Sequence, residues 1–361
     1  MIGGPDFNRL RRALLLQGEP DRVPLAEVYI DADVKRAFLG RPASDLESLV
    51  EFYATAGYDY VELRQGLGLK MNNNLPHASR TAVARYSVFQ EEAQERAWAE
   101  EGRGIITNQR EFEGFPWPDP EALDYSMFEE ISRYLPKGMK VIAVGGKIFS
   151  PIWELMGFRT FCEALIEEPD LVARMYEKVG QIQYRTFEIM ASFDCVGAMW
   201  LADDLAYAEG FFVSPSHYRQ YLFPLFKRMG DLCRGEGLPL LYHTDGKVYD
   251  VLEDIIACGI NALHPIEPKA MDIAYIKRRW GNRLCLIGNI DLGYTLTRGT
   301  PEEVADEVRM RIQQCAPGGG YCVGSSNAVT NYVPLQNFNA MREATIRYGH
   351  CLLYTSDAAD E

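Results

Sequence analysis

Three short apolar runs, at 238–242, 261–263 and 284–287, each give way to polar residues. The first is followed by His243-Thr244-Asp245-Gly246, the second by His264-Pro265-Ile266-Glu267-Pro268 and the third by Gly288-Asn289-Ile290-Asp291. Between them, 248–258 and 271–280 carry apolar positions at helical spacing. Continuous apolar runs alternating with amphipathic segments predict buried parallel strands joined by helices. In such folds the residues just past the strand C-termini gather at one face, where active sites form.

The same rhythm runs along most of the chain. An entry helix over 8–17 and a turn at Gly18–Arg22 precede a first strand over 23–30. A helix over 44–57 leads to a second strand at 58–63. From 66 to 118 the alternation breaks, and β-branched and aromatic residues with Gly turns predict antiparallel hairpins inserted after the second strand. Beyond it the spacing predicts a helix over 120–134, a strand at 140–144, helices over 151–166 and 169–191, and a strand at 196–201 ending in Asp203-Asp204. A helix opened by Ser214-Pro215 runs to 235, and Thr300-Pro301-Glu302-Glu303 caps another to 314. A last strand at 320–323 and a helix over 334–348 complete eight strand–helix units, the count of a (β/α)8 TIM-type barrel. Residues 1–349 read as one domain, and 350–361 as a non-native or disordered tail outside it.

The apolar fraction of 47% is ample for a large core. A net charge of −14 excludes nucleic acid and anionic membrane surfaces as expected partners, since both need clustered positive charge. No apolar run is long enough to span a bilayer, and the N-terminus lacks the features of a signal peptide. Eight cysteines without CxxC pairs indicate neither a disulfide framework nor a zinc ribbon. The expectation is a cytoplasmic protein acting on a small molecule.

The candidate chemistry lies past the strands. His243 and Asp245, two apart, point to one side of an extended chain. With Cys322 or Glu267 they would hold a metal, because zinc accepts imidazole, carboxylate and thiolate and a catalytic site needs three such ligands plus an open position. The alternative is a hydrogen-bonded His243 beside an Asp245-Gly246 turn. Glu267, stiffened by two prolines, is equally a general acid/base candidate, with His264 a structural neighbour. Asp203 and Asp204 are a second acid/base pair, since adjacent carboxylates in a cleft raise one pKa. Asn289 and Asp291 would orient substrate by hydrogen bonds. Ser325, Ser326 and Asn327 after Gly324 form a polar turn able to hold an anion through backbone N–H groups. Lys147, after Gly145-Gly146, supplies a local positive charge, and Trp153, Trp200 and Tyr218 line either the core or a pocket for an aromatic ring.

Taken in order, PDRVPL at 20–25, SPSHYRQYLFPLFKRM at 214–229, HTDG at 243–246, CGINALHPIEP at 258–268, GNID at 288–291 and GGYCVGSSNAV from 319 resemble the uroporphyrinogen decarboxylase superfamily over nearly the whole chain. The resemblance implies a (β/α)8 barrel with its cleft at the strand C-termini. True decarboxylases of the family carry an N-terminal arginine segment and an aspartate near the second strand. Here Ile30-Asp31-Ala32-Asp33 and Glu62-Leu63-Arg64 stand in those places. The methyltransferase branch, which exchanges methyl groups between small methylated compounds or thiols and corrinoid proteins, has a zinc signature of His-x-Cys plus a later Cys. His243-Thr244-Asp245 keeps the histidine, and either Cys322 or the Gly324-Ser325 position falls where the later Cys is expected.

The resemblance therefore implies a methyltransferase with Zn2+, a corrinoid carried by a partner protein, and a homodimer. A cofactor-independent decarboxylase of a porphyrinogen-like substrate is the alternative, and an inactive corrinoid- or tetrapyrrole-binding protein the third reading.

Overall fold

The computed structural model describes residues 4–65 and 104–350, together with the backbone of 81–86 and 94–99. Its frame is a seven-stranded sheet in the order β1 (Tyr60–Arg64), β4 (Lys140–Gly145), β5 (Val196–Ala202), β8 (Leu240–His243), β9 (Ala262–His264), β10 (Cys285–Ile287) and β11 (Tyr321–Cys322). Every adjacent pair is parallel. β5, β8, β9, β10 and β11 are buried at every position, as continuous apolar runs with helices packed over them must be. Trp200, Tyr242 and Tyr321 are among the largest fully buried side chains of the core.

The helices between the strands begin where the sequence supplies caps. Asp45 and Ser48 form a capping box on Leu46–Ala56, and Thr300 and Glu303 form another on Pro301–Cys315. Leu46–Ala56 stops at Gly57, whose φ of +95° suits glycine alone.

The segment expected as the first strand is not a ladder. It makes isolated parallel bridges, Leu25 to Val323 and Ile30 to Val329. Pro24 has no N–H to give, so one hydrogen bond of any ladder is missing. Towards β1 the backbone is held by a side chain instead. The Tyr60 hydroxyl donates to the Glu27 carbonyl oxygen at 2.6 Å and accepts from the Glu27 N–H at 2.7 Å.

Two helices are broken where the spacing predicts continuity. The expected 151–166 helix is two, Phe149–Met156 and Phe158–Glu167, separated by Gly157 at φ +78°. The expected 120–134 helix is a 3-10 turn at Pro120–Ala122, parted by the extended Leu123 (ψ 149°) from a short helix at Ser126–Glu130 and a second 3-10 turn at Ile131–Arg133. Within the predicted insertion, β2 (Thr81–Tyr86) and β3 (Gln94–Ala99) pair antiparallel, but Gln109–Gly114 is a helix capped by Asn108 rather than strand. The remainder of the predicted hairpins, at 66–80, 87–93 and 100–103, and the tail at 351–361 lie outside the described residues. A two-residue hairpin, β6 (Ala206–Tyr207) with β7 (Gly210–Phe211), follows β5 over the same face. Among the described residues no helix is long and apolar enough to cross a membrane.

Candidate metal centre

The ends of β5 and β8 build the centre together. β5 is followed by Asp203 and Asp204, and β8 by Thr244 and Asp245. The two ends are tied by backbone and side chain. Asp203 N–H donates to the His243 carbonyl oxygen at 3.0 Å, Leu205 N–H to the Thr244 hydroxyl at 2.9 Å, and Asp245 N–H to Asp204 Oδ1 at 3.0 Å. Gly246 makes the turn at φ +80°, and a Cβ there would meet the Tyr207 carbonyl oxygen at 2.4 Å. Its N–H donates to Glu267 Oε2 at 2.9 Å.

This scaffold brings one atom each of Asp204, His243 and Asp245 within 4.8 Å of one another. His243 Nε2 lies 3.6 Å from Asp204 Oδ1 and 3.6 Å from Asp245 Oδ1, too far for hydrogen bonds. Ligands about 2.1 Å from a shared tetrahedral zinc stand roughly 3.4 Å apart, so the spacing suits a cation between them. Asp245 Oδ2 accepts from Asn327 Nδ2 at 2.6 Å, while Oδ1 is buried with no hydrogen-bond partner. A buried carboxylate oxygen with no protein partner, 3.6 Å from an imidazole nitrogen, suits a shared cation. Donor set, spacing and orphan atom therefore fit a divalent metal. Behind His243, Nδ1 meets Nδ1 of His264 at 2.7 Å.

The electrostatics agree. Burial and the charges of Asp204 and Glu267 push the Asp245 carboxyl well above the usual carboxylate range. Burial holds His243 down to about 4, partly opposed by Asp204 and helped by the positive charges of Lys147 and Arg64. His264 is also lowered, by burial and by its neighbour His243. His243 is thus a neutral imidazole with a lone pair to offer at ordinary pH.

Other expected site residues have different surroundings. Asp203 is buried away from the trio and accepts from the N–H groups of Ile148, Phe149 and Ser150 and from the Ser150 hydroxyl, at 2.6–2.9 Å. It caps the Phe149–Met156 helix from the end of the adjacent strand. The structure does not bring Cys322 to the trio. Its buried thiol lies against Cys285 on the neighbouring strand, and burial raises its pKa well above the ordinary value. Glu267 borders the centre and pairs with Lys269 at 3.5 Å. Asp291 accepts from Gly293 and Tyr294 N–H and so closes its own turn. Asn289 is buried, donating to the Ile266 carbonyl oxygen at 2.7 Å and leaving Oδ1 without a partner.

Of the expected anion turn, Ser325 is committed to Glu27, through N–H at 2.6 Å and hydroxyl at 2.7 Å, and Ser326 accepts from Leu292 N–H. Tyr218 is buried with its hydroxyl on the Leu205 carbonyl oxygen, and Trp200 is a core residue packed edge-on to His264. Trp153 is half-buried against Phe158. Lys147 is half-buried near Asp203 and His243.

The sequence alone pointed to neither Glu27 nor Lys35, and marked Glu62 and Arg64 only as standing where the decarboxylases carry an aspartate. Glu27 is fully buried, its carboxyl pushed up to about 8 by desolvation. Glu62 pairs with Arg64 at 2.7 Å, and Lys35 is buried nearby. One signal was present, a single acid within the apolar run VPLAEVYI.

With this geometry in view, the uroporphyrinogen decarboxylase family model matches residues 105–348, well over half of the chain. The chain belongs to the uroporphyrinogen decarboxylase family. Within that family it is similar to the methylcobamide:CoM methyltransferase MtaA of Methanosarcina barkeri, 25% identical over 197 residues, 54% of each chain. It is also 27% identical to the uroporphyrinogen decarboxylase of Coxiella burnetii over 194 residues, 52% of this chain and 50% of that one. The matches thus span about half the length of these curated relatives. A methyltransferase from Methanosarcina mazei shares the fold, with a TM-score of 0.71 over 94% of this chain and 98% of that one at 18% identity. The family member described here therefore has enzymes of both reaction types among its relatives.

Proposed function

We propose that this chain is a metal-dependent methyltransferase that exchanges a methyl group between a small methylated compound and a corrinoid carried by a separate protein. The observation that carries the reading is the Asp204–His243–Asp245 group at the ends of two adjacent strands. These three residues would hold the cation, with zinc the first choice for one imidazole and two carboxylates. Such a cation supplies a Lewis acid that polarises the atom bearing the methyl group. The chain's own residues orient the site: Asn327 fixes Asp245, His243 offers its lone pair, and Glu267 holds the turn at Gly246. The charges of Lys147 and of Arg64, the latter paired with Glu62, are felt at His243, and Lys147 suits a substrate with an anionic part. The name of one relative pairs a methylcobamide with coenzyme M, which supports the corrinoid partner. We read residues 1–349 as a single closed (β/α)8 domain in a cytoplasmic homodimer.

Decarboxylation of a carboxylated substrate is the second reading. Asp245 favours it, because burial and the neighbouring acids hold its carboxyl well above the usual carboxylate range, and such an acid can return a proton to a developing carbanion.

Metal analysis of the purified chain, beside Asp204→Ala, His243→Ala and Asp245→Ala, tests the first reading. About one zinc per chain, lost in the variants, supports it. A folded chain that takes up no divalent metal overturns it and makes carbon dioxide release from a porphyrinogen the next assay.

A further inference from the structure

His243 and His264 face each other Nδ1 to Nδ1 at 2.7 Å, with both rings buried and their centroids 5.0 Å apart. At that distance one nitrogen donates and the other accepts, so a single proton lies between them. The remaining nitrogens differ in kind. His243 Nε2 faces the two carboxylates, whereas His264 Nε2 is buried without a partner. An imidazole that gives its Nε2 lone pair to a cation keeps its proton on Nδ1.

We infer that His264 is the positioning residue of the centre, accepting the His243 Nδ1–H bond so that the His243 ring is fixed with Nε2 free for the cation. The inference rests on the metal-binding reading above. His264 touches neither cation nor substrate. It acts through His243, and its place on β9 is set by the register that puts His243 opposite His264. Outer hydrogen-bond partners of ligating histidines are usually carboxylates, carbonyls or water. Here a neutral imidazole serves, which fixes direction without adding negative charge behind a ligand already flanked by two acids.

The test is zinc affinity, measured by chelator competition on the full chain, for the wild type and for His264→Asn, His264→Gln and His264→Phe. Thermal melts of the metal-free forms check folding. Asparagine places an oxygen acceptor close to the Nδ1 position, and glutamine reaches instead towards Nε2. The expected result is affinity within about 3-fold for His264→Asn and a loss of roughly 10–100-fold for the other two. In the zinc-loaded wild type, long-range proton–nitrogen spectra should place the His264 proton on Nε2, which leaves its Nδ1 to accept from His243. Unchanged affinity in His264→Phe, an Asn variant as weak as Phe, or a His264 proton on Nδ1 overturns the role of His264 while leaving the metal centre standing. A wild type that binds no zinc overturns both. Should a variant fail to fold, the wild-type spectrum still decides.

Discussion

Ser150 meets Asp203 twice on one oxygen, Oδ1, through its hydroxyl at 2.6 Å and its N–H at 2.9 Å. With Ile148 and Phe149 N–H on Oδ2, this carboxylate satisfies the start of a helix that has no cap of its own. Asp203→Ala should therefore destabilise the fold by about 2–4 kcal/mol, because buried N–H groups lose their acceptor. Urea unfolding checks this, with Asp204→Ala expected to stay within about 1 kcal/mol of wild type.

Metal binding should strengthen with pH. Asp245 is held protonated well above the usual carboxylate range, so a cation must displace its proton, while His243, at about 4, offers no competition near neutrality. The association constant should rise by up to about tenfold per pH unit until Asp245 is ionised in the free protein. Zinc titration calorimetry at several pH values, in buffers of different ionisation enthalpy, reads both the slope and the released proton. A flat profile would contradict the raised Asp245.

Glu27 predicts a second pH effect, on stability. Its carboxyl titrates near 8 in the fold against an ordinary 4.5. Between those values the folded chain binds a proton that the unfolded chain does not, so this group's contribution falls as pH rises. Glu27→Gln removes the titration and keeps groups that can meet Ser325. The variant should melt close to wild type at pH 5 and at least about 2 °C above it at pH 8. Equal differences at the two pH values would count against a buried, protonated Glu27.

Tyr60→Phe removes the hydroxyl that serves both the N–H and the carbonyl of Glu27. Loss of two buried backbone partners should cost about 2–3 kcal/mol. It should also speed hydrogen exchange at Glu27 N–H, which mass-resolved exchange over 23–30 would report.

The strands of the sheet were legible because burial on both faces writes itself as unbroken apolar runs, as at 238–242 and 284–287. His243 and Asp245 were legible for a related reason, since they follow such a run two residues apart. Asp204 was found but given a different part, because its partner sits on another strand and only register brings them together. The same blindness to register made Asp203 look like a member of a pair. Its true partners, 148–150, lie some fifty positions earlier. Cys322 was offered on chain position, whereas its thiol faces Cys285. The segment at 23–30 has strand composition, but it is gripped by the Tyr60 hydroxyl of the neighbouring β1, a contact no periodicity encodes.

The make-up of the centre has a consequence for exposure to oxidants. Asp204, His243 and Asp245 contain no sulfur, and the seven cysteines among the described residues all lie outside the trio, Cys322 among them sealed in the core. Peroxide and oxygen attack exposed thiolates, converting them to sulfenic and higher acids that no longer ligate. A centre of carboxylates and imidazole has no such residue to lose. A cation held by these three residues would keep its ligands in air, and any oxygen sensitivity of the proposed reaction would belong to what the site meets rather than to the site.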